Sequence, residues 1–287
     1  MKREEFSLAR GFVAFGVAVA LVCDAVSGWN QRQFLREAAP ANAAPEQDSG
    51  QLEEPLLVLV NGENAVPESW WFLPYLVDDE VVDRRMAEDL SALLEAAESQ
   101  GVWLWVASGY RSRRRQEDIL ESAIQERMAQ GLTREQARAK ALETIAQPGH
   151  SEHETGLALD FNDVSQGFQE TVAYQWLRQH GAAYGFIQRY QREKEAVTGV
   201  KAEPWHFRYV GVPHARILVS HGLCLEEYPD FLRERPRRCI LPGGRAAWAF
   251  YIPCAQAEVD IPLPDTCCQL SGDNIGGLIV TAWEKPL

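Results

Sequence analysis

A chain of 287 residues, 46% hydrophobic and 24% charged, carries enough apolar side chains for a full core, which excludes wholesale disorder. Its 28 Lys and Arg against 41 Asp and Glu leave a net charge of −13. That balance excludes a general nucleic-acid binder, because holding a polyanion needs a basic footprint. The length accommodates one large domain or two small ones.

At the N-terminal end, Gly11 to Cys23 is a run of thirteen uncharged residues preceded by Lys2, Arg3 and Arg10. It falls between a signal-peptide core and a full membrane span of about 20 residues. Residues 1–27 therefore read as a cleaved signal peptide or an uncleaved single-pass anchor, with the rest of the chain outside the membrane. Glu4 and Glu5 dilute the basic flank, Ala25-Val26-Ser27 is a mediocre cleavage site, and a buried core helix is the bland alternative. Residues 28–54 read as a flexible tether, since Glu37 to Glu54 holds Ala, Pro, Glu, Gln and Asp with almost no large apolar side chains.

Within the folded part, Leu56–Val60 reads as a buried strand ending in the Asn61-Gly62 turn. Met86, Leu90, Leu93, Leu94 and Ala97 follow helical spacing, which predicts an amphipathic helix from Val82 to Ala97 closed by Gly101. Val102–Ala107 reads as a strand carrying Trp103 and Trp105 on one face. Two charged helices follow, Arg113–Gln130 and Thr133–Ala146, the second opened by a Thr133/Gln136 capping box. Leu157–Phe161 reads as a strand and Phe168–His180 as a helix capped by Gly181. Tyr184–Tyr190 and Trp205–Val210 are the remaining strand candidates of a segment spanning 55–212.

Residues 213–287 read as a β-rich, cysteine-containing extension: a helix over Ala215–Leu223, then strands at Trp248–Ile252, Glu258–Ile261 and Leu278–Trp283. Cys224, Cys239, Cys254, Cys267 and Cys268 all lie there. An exported chain can keep disulfides, but an odd number leaves one thiol over, and the pairing stays open. Nothing in this extension carries chemistry, so bracing the 55–212 segment is its default role. Helices mixed with short strands and no repeating βαβ unit indicate an α+β fold.

The chemistry concentrates in two places. In Ser151-Glu152-His153-Glu154-Thr155-Gly156-Leu157-Ala158-Leu159-Asp160, an imidazole and a carboxylate can converge only if the chain folds back at Gly156. A catalytic zinc needs three protein ligands and one open position, and Glu203-Pro204-Trp205-His206 offers another His three residues after a Glu. Pro204 excludes the helical H-E-x-x-H arrangement, so a turn leading into a strand must present this pair. A lone His153 or His206 would ordinarily be a satisfied polar residue; the combination in this order points to a metal site. Glu152 and Glu154 could orient an imidazole or face solvent. Arg113, Arg114 and Arg115 read as a solvated helix start, His150 as no ligand, and His180, His214 and His221 as structural or exposed.

Ser108-Gly109-Tyr110-Arg111-Ser112 with Gln116, Ser151-x-His153-x-Thr155-Gly156 with Asp160, Gly185-Phe186, Arg189-Tyr190, Thr198-Gly199 and Glu203-Pro204-Trp205-His206-x-Arg208-Tyr209-Val210-Gly211 together resemble the VanY-type zinc D-Ala-D-Ala carboxypeptidases. That family shares its fold with the hedgehog signalling domain. Gln191 departs from the Pro usual after Arg-Tyr. The resemblance implies a hedgehog/D-Ala-D-Ala peptidase-like zinc domain over about 56–212, one zinc held by His153, Asp160 and His206, and Glu203 as general base. It further implies Arg111 at the developing oxyanion, with Ser151 and Gln116 binding the substrate's terminal carboxylate. Peptidoglycan stem peptides are the expected partners, with no nucleic acid, membrane contact only through an uncleaved N-terminal segment, and an open oligomeric state. L,D-carboxypeptidase, D,D-dipeptidase or endopeptidase activity would use the same ligands. An inactive zinc-bearing binding module is the alternative from another class, and Glu203 argues against it.

Overall fold

The computed structural model describes residues 55–253 and 268–284. The expected signal or anchor, the tether, the Glu258–Ile261 strand, Cys254 and Cys267 lie outside these residues. Among the described residues no helix is long and apolar enough to cross a membrane.

The chain enters through Leu56–Val60, which is buried but is no strand. Its backbone partners are not a β ladder: the Leu57 amide donates to Ser271 Oγ at 2.8 Å and the Leu59 amide to the Asp273 carbonyl at 3.0 Å. Alternation survives without a sheet. Leu56, Val58 and Val60 enter one core cluster, Leu57 and Leu59 another.

A short hairpin follows, β1 (Pro74–Val77) and β2 (Glu80–Asp83), turning on Asp78-Asp79 with φ of 49° and 64°. Positive φ at both central positions is what a type I′ hairpin turn requires, and Asp tolerates it better than most residues. Asp83 then caps α1 (Arg84–Ser99) by accepting from the Arg85 amide. This helix buries Met86, Leu90, Leu93 and Ala97, the expected stripe, and ends before Gly101 at φ +72°. Strand β3 occupies only Val106–Ser108. Trp103 and Trp105 stay exposed ahead of it, where the Trp103 carbonyl is taken by the Asn162 side chain instead of a neighbouring strand.

Helices α2 (Arg113–Ala129) and α3 (Arg134–Ala141) pack on each other through Leu120, Ala123, Ile124, Ala137 and Ala141. The Thr133/Gln136 capping box is present, with both reciprocal bonds made. After a turn at Glu152–Thr155 come β4 (Ala158–Phe161), α4 (Val172–His180), β5 (Phe186–Tyr190), the single-turn helix α5 (Glu195–Thr198) and β6 (Glu203–Tyr209). Helix α4 ends at His180 with Gly181 as its C-cap, as expected, although Gly181 keeps helical angles (φ −51°) instead of the left-handed ones. The chain passes through it in helical conformation and reverses at Gly185, φ +85°, where a Cβ would strike the Tyr209 ring and the Gly211 backbone.

Strands β3, β4, β6 and β5 form an antiparallel sheet in that order. One face carries Leu159, Phe161, Phe186 and Phe207 into the core against α1 and α4. The other face carries the polar residues described below.

Helices α6 (Val212–His221) and α7 (Tyr228–Glu234) lead into a second antiparallel sheet. It comprises β7 (Arg237–Ile240), β8 (Ala246–Pro253), β9 (Cys268–Gly272) and β10 (Gly277–Trp283), ordered β7-β8-β10-β9. Its inner residues Ala249 and Ile279 share a core with Leu57, Leu59, Ile187, Val210 and Leu218. At about 1.5–3 kcal/mol for each large apolar side chain fully removed from water, this shared core is a main source of cohesion. Buried within the same region, His214 bonds Tyr228 Oη at 2.8 Å and Thr281 Oγ1 at 2.7 Å.

Candidate metal centre

Sheet register builds most of the site. Asp160 on β4 is the direct partner of His206 on β6, so their side chains rise from the same face. Asp160 Oδ1 lies 3.2 Å from His206 Nδ1. His153 comes from the turn that Gly156 ends at φ +74°, the fold-back that its distance from Asp160 in the chain demanded. Its Nε2 lies 3.3 Å from the same Asp160 oxygen. The ligand-capable atoms of His153, Asp160 and His206 all lie within 4.8 Å of one another, and all three residues are buried.

Glu203 and His206 are three residues apart, which in a regular strand places them on opposite faces. The β5–β6 register shifts between the Gln188–Phe207 and Tyr190–Glu203 pairs, so two steps on β5 match four on β6. That irregularity accompanies the approach of Glu203 Oε2 to within 3.8 Å of His206 Nδ1.

The imidazoles are held from behind. His153 Nδ1 is 2.7 Å from the Gly109 carbonyl, which fixes Nδ1 as the protonated nitrogen and turns Nε2 toward Asp160. His206 Nε2 lies 3.4 Å from Glu152 Oε2, leaving Nδ1 for the centre of the cluster. Glu152 is thus an orienting group, but for the distant His206 and not for its neighbour His153. Glu154 serves the loop, accepting from the Gly149 amide at 2.7 Å and facing Arg113 at 3.7 Å.

Burial pushes the Glu203 carboxyl up to about 7, with His206 opposing and Asp160 adding to the rise. Burial also pushes Asp160 upward, but His153 and His206 outweigh it and hold the carboxyl well below its usual range. His206 would be lowered by burial, yet its bonds to Asp160 and Glu152 raise it to about 9. His153 is lowered, by burial first and by Arg111 second. An acid and a base with displaced affinities in one cleft are the equipment for proton transfer.

Arg111 stands at the edge of the cluster. Its Nη2 pairs with Asp160 Oδ2 and its Nε donates to Ser108 Oγ at 3.0 Å, so the guanidinium neutralises the Asp160 oxygen turned away from the two imidazoles. Ser151 and Gln116 are buried and line the same cavity of about 1250 Å³. Gln116 Nε2 donates to the Ala146 carbonyl at 2.8 Å, while its Oε1 is buried without a partner among the described residues. Trp205 and Tyr190 also line this cavity. His150 reaches the Asn61 carbonyl at 2.8 Å and stays out of the cluster. Arg113, Arg114 and Arg115 are exposed, as a solvated helix start should be.

Sequence reasoning missed Arg189, Arg208 and Glu226 as parts of the site. Arg189 and Arg208 are fully buried and both hold Glu152 Oε1 at 2.8 Å. Their presence in strands of otherwise apolar character was the available signal, since a buried guanidinium demands a carboxylate from elsewhere in the fold.

Two imidazole nitrogens and one carboxylate oxygen, with one side open to a cavity, fit a catalytic zinc: three protein ligands of the types zinc takes, and room for a fourth. The sequence profile of the VanY family, D-alanyl-D-alanine carboxypeptidase, matches residues 79–212. The D-alanyl-D-alanine carboxypeptidase of Enterococcus faecalis is 41% identical over 188 residues, covering 64% of this chain and 69% of that protein. A crystal structure of a vancomycin-resistance D,D-pentapeptidase VanY variant with Zn(II) is similar at TM-score 0.56 and 41% identity, over 60% of this chain and 98% of that one. VanYB in complex with D-alanine-D-alanine is similar at TM-score 0.56 and 41% identity, over 61% and 97% of the two chains. The chain belongs to the VanY family of D-alanyl-D-alanine carboxypeptidases.

Proposed function

We propose that this protein is a zinc D-alanyl-D-alanine carboxypeptidase that removes the terminal D-Ala from peptidoglycan stem peptides. The observation that carries the reading is the convergence of His153, Asp160 and His206 within 4.8 Å, with Glu203 beside them and a cavity in front.

In this reading His153 Nε2, Asp160 Oδ1 and His206 Nδ1 hold the metal. Zinc bound there supplies Lewis acidity, polarising the scissile carbonyl and easing deprotonation of a water. Glu203 takes that proton and passes it to the departing D-Ala nitrogen, a double task suited to a carboxyl pushed up to about 7. Arg111 places a fixed cation at the carbonyl oxygen as negative charge develops, where a positioned charge in a cleft acts most strongly. Ser151 and Gln116 hold the terminal carboxylate end.

Residues 1–27 supply an export signal or an N-terminal anchor in this proposal, 28–54 a tether, 55–212 the catalytic segment and 213–287 its extension. The enzyme then works outside the cytoplasmic membrane, where stem peptides reside. Incubation with pentapeptide and tetrapeptide stems followed by mass spectrometry tests the reading. Loss of a single D-Ala from the pentapeptide alone is expected. Cleavage of the tetrapeptide alone would replace it with L,D-carboxypeptidase activity, and removal of a dipeptide with D,D-dipeptidase activity.

A further inference from the structure

We propose that Glu226, beyond the family-matched segment, is a positioning residue of the metal site that acts on His206 through Arg189 and Glu152. The proposal rests on the zinc carboxypeptidase reading above.

Glu226 sits on the turn Leu225–Glu227 between α6 and α7. It receives both terminal nitrogens of Arg189, at 2.8 and 2.6 Å, in a two-pronged pairing. The third Arg189 nitrogen, Nε, donates to Glu152 Oε1 at 2.8 Å. Arg208 Nη1 donates to that same oxygen at 2.8 Å and is itself pinned by the Leu56 and Val58 carbonyls at 2.9 and 3.0 Å. Both guanidiniums therefore occupy Oε1, and Oε2 is left facing His206 Nε2 at 3.4 Å.

The orientation of the His206 ring follows from this chain of contacts. With Nε2 directed to Glu152, Nδ1 points at Asp160 and Glu203. A parallel route exists: the Arg189 guanidinium lies over the Tyr190 ring at 4.8 Å, and that ring packs on His206 with centroids 5.0 Å apart. Two arginines and two glutamates balance in charge. Neutralising Glu226 leaves two buried guanidiniums sharing one carboxylate, and Arg189 loses the fork that sets its angle. Outer partners of a metal-binding imidazole commonly change metal affinity by about 10–100-fold when lost.

The test is zinc affinity, measured by chelator competition on the full chain, with kcat and KM alongside. Glu226→Gln is expected to weaken zinc about ten-fold and to lower kcat with KM within about two-fold. Glu227→Gln is the control: Glu227 pairs with Lys194 at 2.7 Å and should leave zinc affinity within about two-fold of the parent. In a Glu152→Gln background the Glu226→Gln effect should shrink to about two-fold or less, because the two act in series. Parental zinc affinity in a folded Glu226→Gln protein overturns the proposal, as does an undiminished effect in the Glu152→Gln background. Should Glu226→Gln fail to fold, Glu226→Asp carries the test, since its shorter arm cannot keep both contacts; parental affinity there overturns it equally. Competition needs no substrate, so a parent that binds zinc but spares D-Ala-ending peptides defeats the carboxypeptidase reading alone. A parent that takes up no zinc defeats both.

Discussion

Asp160 and His206 are direct cross-strand partners, and their side chains meet at 3.2 Å on one face of the sheet. Backbone pairing, not loop conformation, sets the separation of these two groups. His153 is the member brought in by a turn, and the Gly109 carbonyl restrains its ring. His153→Ala is expected to abolish stoichiometric zinc in elemental analysis while the sheet remains intact by circular dichroism. Undiminished zinc would remove His153 from the ligand set.

Glu203→Gln keeps the volume and removes the ability to accept a proton. It should retain zinc and lose hydrolysis by about 10²–10⁴-fold. Activity within ten-fold of the parent would end the general-base assignment.

Gln116 has one amide arm fixed on Ala146 and, beside the cavity, an oxygen buried without a partner among the described residues. A ligand donor that completes that oxygen would be felt on binding. Gln116→Ala should raise KM about ten-fold with kcat within about two-fold, the scale of one buried hydrogen bond. An unchanged KM would assign Gln116 to loop support only.

His214 gives a pH prediction remote from the metal. Burial depresses it to about 3, against an ordinary 6.5. Above pH 6.5 the imidazole is neutral whether the protein is folded or not, and its contribution is intact. Between 6.5 and 3 the unfolded chain binds the extra proton, so stability falls as pH falls, at up to about 1.4 kcal/mol per pH unit. Chemical denaturation of His214→Gln should show a flatter pH dependence across that window; an unaltered slope would refute the assignment.

Truncation after residue 212 strips α6, Ala249 and Ile279 from Leu57, Leu59, Ile187 and Val210. The shortened chain should lose cooperative unfolding in a thermal melt. A cooperative transition near the parental temperature would show that 55–212 folds alone.

The sequence makes His153, Asp160, His206 and Glu203 legible as a candidate cluster because their residue types and order are local and chemically unusual. What joins them to the rest was hidden. Nothing in the spacing tells that Glu152 serves His206, 54 positions away, instead of His153 next to it. The β1–β2 hairpin escaped notice because its outer residues are exposed and its strands are short, although consecutive aspartates offered a turn signal. Leu56–Val60 carries a strand's composition but finds side chains and single carbonyls as partners, which no local pattern distinguishes from a ladder. β7 and β9 were missed because polar or isolated apolar residues dilute their alternation.

The Leu56–Val60 run also ties distant parts of the described chain together. Its amides wait for Ser271 and Asp273, more than 200 positions downstream, and its carbonyls wait for Arg208. Closing a loop of that length costs chain entropy, though the cost grows only slowly with length. Arg208 then grips Glu152 only from a position that the same run secures. The groups that aim His206 are thus tied, through Arg208 and this run, to a strand at the far end of the described chain.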